Sequence, residues 1–508
     1  MPDGGDAGGG PVLVLRADRL RAARRVLVAR QVMLSAAAGD VVAVEGANGS
    51  GKSTLLAAAA GVLPTGQAGR RPSSVGYAPE RADVLPRLAL WRWLTGLGRT
   101  AGLSRAEAVG QAAELLTRIG LASAGHRPLS ELSRGNVQRA LVAQALVGPP
   151  GLVVLDEPSG GLDRDGIGRL TAEIRRASGR SSVVLVARHP TAPLPLPAGP
   201  AWRIAGGVVR TEDRAADAVS VMEVETGDGQ VRQVGEFELT DVLRAALDAG
   251  LAIRRVQPVA AAPVADPVAG LDAGQAADPL ADPAADALRR AGSLHRIYHG
   301  AGHRARLLTV SQWFAAPALL FLIVLGIFYA KPVGPLLPAA AFTAVLLVPV
   351  MIWISVQAHL ADGRLMARAF AAHVGGTERA HLAACLATVP FAAAATVIAV
   401  GWSALSQPHP PHYPGLLLDM ITLHLAAALF GVAVGGLLVP PLVERAGWRI
   451  CLAVGLFLAL LLVPVSPMHP LLLLATHPAG SVGAAAGLLA VTGAALVGVT
   501  TFLAGPLP

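Results

Sequence analysis

The sequence predicts a chain in three parts: a parallel α/β domain built around a phosphate-binding loop, a small α+β appendix, and an all-α domain of six membrane-spanning helices. Three observations carry this prediction. A short apolar strand, Val41–Glu45, runs into the glycine-rich stretch GANGSGKST and then into the helical pattern Ser53–Ala60. Two further apolar strands, GLVVLDEP from Gly151 and SSVVLVARHP from Ser181, alternate with helical segments, the order of a parallel sheet covered on both faces. Beyond about residue 311 the charges nearly vanish and long apolar runs follow.

With 508 residues, 53% hydrophobic and 15% charged, the chain is too long for one domain and points towards a membrane protein. Its net charge of +8 comes from scattered arginines without a basic–aromatic patch, which argues against nucleic acid as a partner. Cys385 and Cys451 both fall in apolar runs and are expected to be inert small hydrophobes, not a disulfide pair. Residues 1–10 are polar and glycine-rich, a disordered start without a signal peptide, so the soluble half is expected on the cytoplasmic side.

Only Lys52 and Lys331 among the 42 basic residues are lysine, and only Asn48 and Asn136 are asparagine. A lysine kept inside the glycine loop answers a chemical need. Its compact ammonium reaches the β- and γ-phosphates of a nucleotide, where a planar guanidinium crowds the loop. Strand, glycine loop and helix together define a P-loop NTPase fold, with the phosphates held at a helix N-terminus. Residues 12–16 form an earlier strand, and residues 85–147 are largely helical in pattern.

Four more motifs follow: LSRGNVQR (Leu132–Arg139), LVVLDEP (Leu152–Pro158), SGGLD (Ser159–Asp163) and ARHP (Ala187–Pro190). In this order and spacing, residues 11–210 resemble the nucleotide-binding domain of ATP-binding-cassette (ABC) transporters. The resemblance implies an ATPase using ATP and Mg²⁺. Gly46, Asn48, Gly49, Ser50, Gly51, Lys52, Ser53 and Thr54 would bind the nucleotide, with backbone N–H groups wrapping the phosphates and Lys52 neutralising them. Ser53, Asp156 and Glu80 would meet Mg²⁺, Glu157 would polarise the attacking water, and His189 matches the family's switch histidine at the γ-phosphate. Leu132, Ser133, Arg134, Gly135 and Asn136 match the signature sequence, which in the family faces ATP held by the opposite subunit, and Asp163 would lie at the same interface. Ser133 is expected to cap a helix running through Val147.

The chain departs from the family pattern in three places. Arg134 and Asn136 replace the commoner Gly and Gln of the signature. Glu80, closing VGYAPE, stands where the family usually has a glutamine. The stretch RLRAARRVL (Arg19–Leu27) offers no aromatic to stack the adenine, which implies arginine stacking or a weaker grip on the base.

The nucleotide domain is expected over residues 11–215 and the appendix over 216–258. In the appendix, strand patterns at Val219–Glu225, Val231–Val234 and from Leu251 accompany an amphipathic helix at Leu239–Ala249, a regulatory or dimer-contact element. Residues 259–300 are a linker, its first part Ala/Pro/Asp-rich with too little apolar surface to fold.

The membrane domain, residues 301–508, is expected to cross at about 311–330, 336–358, 382–403, 416–438, 450–466 and 481–503. Arginines gather before the first span, between the second and third (Arg364, Arg368, Arg379) and between the fourth and fifth (Arg445, Arg449). Both termini therefore lie inside, with Lys331 the exception outside. The loop Arg364–Ala380 is either a plain cytoplasmic loop or a segment pressing on the nucleotide domain. Asp419 and His424 fall within the fourth span, His359 and Gln357 at the inner end of the second, and His409, His412 and Tyr413 in an outer turn-rich loop.

These features predict a half-size ABC exporter of the cytoplasmic (inner) membrane. It would pair with a second copy or a related half-transporter, contact membrane lipid, and move a small-molecule, peptide or lipid substrate outwards. The competing expectation is a membrane-anchored ATPase that senses or drives a partner without transporting.

Overall fold

In a computed structural model, the described residues are 12–22, 26–63, 68–188, 194–214, 221–226, 231–235, 252–259, 292–331, 333, 335–407, 413–439, 446–476 and 481–504. A six-stranded sheet forms the centre of the nucleotide domain. Its order is β5 (Val75–Ala78), β6 (Leu152–Asp156), β7 (Val183–Ala187), β3 (Val41–Gly46), β8 (Gly199–Ala205) and β9 (Val208–Arg214). The first five are parallel, and β9 returns antiparallel on the edge. Every residue of β6 and β7 is buried, as the continuous Val/Leu runs require when helices cover both faces. β1 (Leu13–Ala22), β2 (Val26–Ala36) and β4 (Ala68–Arg70) form a second, antiparallel sheet in which Leu13, Leu15 and Ala17 point inwards by strand alternation. The expected strand at 12–16 is thus one arm of a long hairpin.

Helix α1 (Lys52–Ala59) leaves the glycine loop. The helical stretch 85–147 resolves into α2 (Leu90–Ala101), α3 (Arg105–Arg118) and α4 (Arg134–Leu146). Ser104 and Glu107 start α3 with reciprocal bonds: Glu107 N–H donates to Ser104 Oγ (3.3 Å), and Ser104 N–H to Glu107 Oε2 (2.7 Å). Helix α5 (Arg164–Gly179) precedes β7. In the appendix, β10 (Val221–Thr226), β11 (Val231–Gly235) and β12 (Ile253–Val259) pair antiparallel in the order β11-β10-β12. The expected helix at Leu239–Ala249, linker residues 260–291, His189, His409 and His412 lie outside the described residues.

The C-terminal half is helical: α6 (Ser293–Ser311), α7 (Ala315–Phe328), α8 (Leu336–Leu360), α9 (Gly363–Val374), α10 (Thr377–Ala387), α11 (Val389–Ser406), α12 (Tyr413–Leu437), α13 (Ala446–Leu462), α14 (His469–Thr476) and α15 (Val482–Ala504). Among the described residues four helices are long and apolar enough to cross a membrane: α8, the α10–α11 rod, α12 and α15. The pair α6–α7 makes a fifth if its 75° bend is one broken span. Six were expected, and the difference has local causes. The first expected span starts at that bend, where Gln312 adopts φ +60° and leaves α7 with 14 residues. The fifth corresponds to α13, whose 17 residues extend about 26 Å, short of the ~30 Å apolar layer.

Candidate functional site

The glycine loop sits between the end of β3 and the start of α1, and two glycines set its shape. Gly49 and Gly51 have φ +77° and +105°, and a Cβ on Gly51 would lie 2.0 Å from Val28 Cγ1. The curled backbone buries Lys52, 5% exposed, whose Nζ donates to the carbonyls of Gly46 (3.0 Å) and Ala47 (3.4 Å). Lys52 Nζ also lies 3.4 Å from Glu157 Oε1. The structure thus joins two residues separated by more than a hundred positions in the sequence.

Glu157 is held in an uncommon backbone conformation, φ +47°. Its N–H donates to Ala187 O (3.1 Å), while its carbonyl accepts from Gly160 N–H (3.3 Å) and Gln138 Nε2 (3.5 Å). This turn aims the carboxylate at the lysine. Asp156, the last residue of β6, is buried beside it and bonded to the Ser53 hydroxyl. Burial pushes the Asp156 carboxyl up to about 6. The Glu80 and Glu157 charges add to the rise, while the Ser53 hydrogen bond and Lys52 oppose it. Glu80 itself is exposed just beyond β5.

A fit to Mg²⁺ and triphosphate can be tested on these atoms. Among the described residues, the buried side-chain atoms without a hydrogen-bond partner include Asp156 Oδ1 and Ser50 Oγ, both at the glycine loop. Ser53 and Asp156 would hold Mg²⁺, which supplies charge neutralisation at the phosphates. Lys52 would then offer donors to the phosphoryl oxygens, and Glu157 would be the carboxylate placed to take a proton from water.

The raised carboxyl has a consequence for stability. Asp156 in the fold keeps its proton up to about pH 6, whereas unfolded it loses it near 3.8. The protonated fold is therefore favoured at low pH, and this contribution is lost as pH rises from about 4 through 6. Without nucleotide, Asp156→Asn is expected to be more stable than wild type at pH 7.5 by about 2–3 kcal/mol, with the gap closing near pH 4. Thermal unfolding of both proteins across that range checks this, and a pH-independent gap contradicts it.

The signature residues lie at the start of α4. Ser133 is the N-cap, its hydroxyl accepting from Asn136 N–H (3.4 Å), and both Ser133 and Arg134 are exposed. Leu132 is buried, while Gly135 and Asn136 are partly covered. Asp163 caps α5 by accepting from Gly166 N–H (2.9 Å) and lies 3.9 Å from Arg139. At 65% exposure that ion pair contributes little.

Sequence reasoning left the loop 364–380 undecided, and the structure makes most of it the helix α9, docked on β5. Leu365 N–H donates to Asp83 Oδ1 (3.1 Å), and Arg368 hydrogen-bonds Tyr77. Met366, Ala369 and Phe370 are fully buried in the core shared with the nucleotide domain. From α6, Arg296 adds a bond to Ser73 O (2.6 Å), and His303 packs on Trp93 with ring centroids 4.8 Å apart. Asp83 and Tyr77 carry no sequence signal of this role.

A phosphate loop at the C-terminal end of a central parallel strand, an acidic pair closing β6 and a capped helix α4 define a nucleotide-binding cassette. The sequence model of the ABC transporter family matches residues 29–160. The chain is 37% identical over 199 residues to the lipoprotein-releasing system ATP-binding protein LolD of Xanthomonas campestris, covering 34% of this chain and 83% of that protein. It is 40% identical over 164 residues to the zinc import ATP-binding protein ZnuC of Cereibacter sphaeroides, covering 31% of this chain and 65% of that protein, just under two thirds of its length. A solved structure of the ATP binding subunit of an ABC transporter aligns at 23% identity and TM-score 0.36, over 40% of this chain and 90% of that one. The chain belongs to the ABC transporter family and carries its ATP-binding domain.

Proposed function

We propose that the chain is a half-size ABC exporter that works as a dimer in the cytoplasmic membrane, moving an apolar or amphiphilic compound outwards. Two copies would hold two ATP molecules between the glycine loop of one and the exposed Ser133–Asn136 signature of the other. Asp163 would lie at the same interface, and His189 would complete the γ-phosphate contacts. Closure on ATP and release after hydrolysis would then move the membrane helices.

The observation that carries this reading is the seating of α9 against β5, because it gives the nucleotide domain a buried contact with the helical half of the same chain. The relatives named for zinc import and lipoprotein release share the ATP-binding domain, so they support the engine and leave cargo and direction to the membrane half. There, 31 of the 50 residues of α8 and α12 are Ala, Gly, Leu or Val, an apolar composition suited to a drug-like compound, a peptide antibiotic or a lipid. His424 does not weigh towards an ionic cargo, since its ring bonds Thr343 Oγ1 (3.0 Å) and Met420 O (2.7 Å).

The experiment is transport in vesicles with the nucleotide domain facing outwards and Mg-ATP outside. ATP-driven accumulation of an amphiphilic dye within the vesicles is expected. Depletion from the lumen would reverse the assigned direction, and ATP hydrolysis without movement of any compound would favour the membrane-anchored ATPase.

A further inference from the structure

Away from the nucleotide site, His359 at the end of α8 meets His381 and Cys385 of α10. One ligand atom from each of the three residues lies within 4.8 Å of the others. His359 Nε2 is 3.0 Å from His381 Nδ1, and Cys385 Sγ is 3.7 Å from His381 Nε2. We propose that this cluster binds a thiophilic transition-metal ion, Zn²⁺ or Cu⁺, at the base of the docking helix.

The proton positions argue for a cation here. His359 Nδ1 lies 2.8 Å from Ser355 O, so it carries the proton and leaves Nε2 a bare lone pair. The Thr500 hydroxyl lies 2.9 Å from Leu496 O and 3.1 Å from Val497 O, carbonyls that compete with His381 Nε2 for its single proton. With that proton donated to a carbonyl, Thr500 Oγ1 accepts from His381 Nε2–H at 2.9 Å. In that tautomer His381 Nδ1 turns a lone pair to the lone pair of His359 at 3.0 Å, whereas in the other it donates to it. A metal ion between them turns this repulsion into two bonds. Each histidine has its far nitrogen held by a fixed oxygen, the arrangement that orients imidazoles on metals.

The donor set selects the ion. Two imidazoles and a thiolate suit Zn²⁺ or Cu⁺ and do not suit Mg²⁺ or Ca²⁺, which take oxygen ligands. Bonds of about 2.0–2.3 Å around a tetrahedral ion hold an N,N,S donor set roughly 3.3–3.6 Å apart, so Cys385 Sγ, now beside Nε2, has to turn towards the Nδ1 side of His381 as the ion enters. Space for the ring is also provided, since a Cβ on Gly436 of α12 would lie 3.2 Å from His381 Cε1. Because α9 lies between the ligands in sequence, a bound ion clasps the two ends of the hairpin that presents the docking helix. The inference concerns binding alone and does not rest on the direction of transport.

The test uses the full-length protein without a polyhistidine tag, stripped with a chelator and then titrated separately with Zn²⁺ and Cu⁺. One ion per chain is expected for at least one of the two metals, with affinity lowered at least about a hundredfold in Cys385→Ser and His381→Gln. Co²⁺ as a probe should give a thiolate-to-cobalt charge-transfer band in wild type and in the exposed-cysteine control Cys451→Ser, but not in Cys385→Ser. Binding of neither metal at one per chain, affinity unchanged in both ligand variants, or a wild-type cobalt spectrum without the thiolate band each overturns the site. The wild-type spectrum decides even if a variant fails to fold.

Discussion

Glu157→Gln is expected to lower ATP turnover by at least about a hundredfold while leaving nucleotide affinity close to wild type, the size of effect that follows removal of a general base. The reason is local. Glutamine keeps the volume and the φ +47° turn, whose backbone bonds to Ala187, Gly160 and Gln138 do not involve the side chain. Only the basic oxygen is lost, together with the 3.4 Å ion pair to Lys52. Released from that pair, Lys52 keeps its two loop carbonyls and its reach to the phosphates. Steady-state phosphate release and equilibrium ATP binding on both proteins separate the two effects. Turnover within a few-fold of wild type would remove Glu157 from its role.

A second large effect is expected in the membrane half. Gly431 and Gly435, four apart on α12, face α8 at backbone contact distance. A Cβ on Gly435 would lie 2.7 Å from Ile352 O and 2.6 Å from Ser355 Cβ, and one on Gly431 would lie 2.7 Å from Val348 O. Ser355 Oγ donates to Val432 O (2.8 Å) across the same seam. Such close approach is what small residues four apart permit when lipid offers no hydrophobic drive. Gly435→Leu is expected to force the helices apart and destabilise the protein by about 3 kcal/mol, at the upper end of overpacking costs. Gly498→Leu, where a Cβ meets nothing within 4 Å, serves as the neutral control. Thermal unfolding in detergent compares the two, and equal melting would contradict the packing argument.

Much of the nucleotide site was legible because its physics is local. An apolar strand, a glycine turn and one retained lysine fix the shape of the loop, and Ser133 caps α4 where the serine-before-helix pattern placed it. The partnership of Lys52 with Glu157 depends on a turn that only the folded sheet supplies. Long-range docking left no comparable trace: Asp83 and Tyr77 meet α9 across nearly three hundred residues of sequence. Hydropathy located the long helices, but helix ends depend on particular residues. Gln312 bends the first expected span, and Val463–Pro464 follows the end of α13. His359, expected at the membrane interface, faces His381, because which helices are neighbours cannot be counted from one span alone.

The most direct test of the central claim is a native mass measurement of full-length Glu157→Gln with and without Mg-ATP. Two chains carrying two ATP molecules, formed only when nucleotide is present, is the predicted species. A single chain with no bound nucleotide at saturating Mg-ATP would contradict the account.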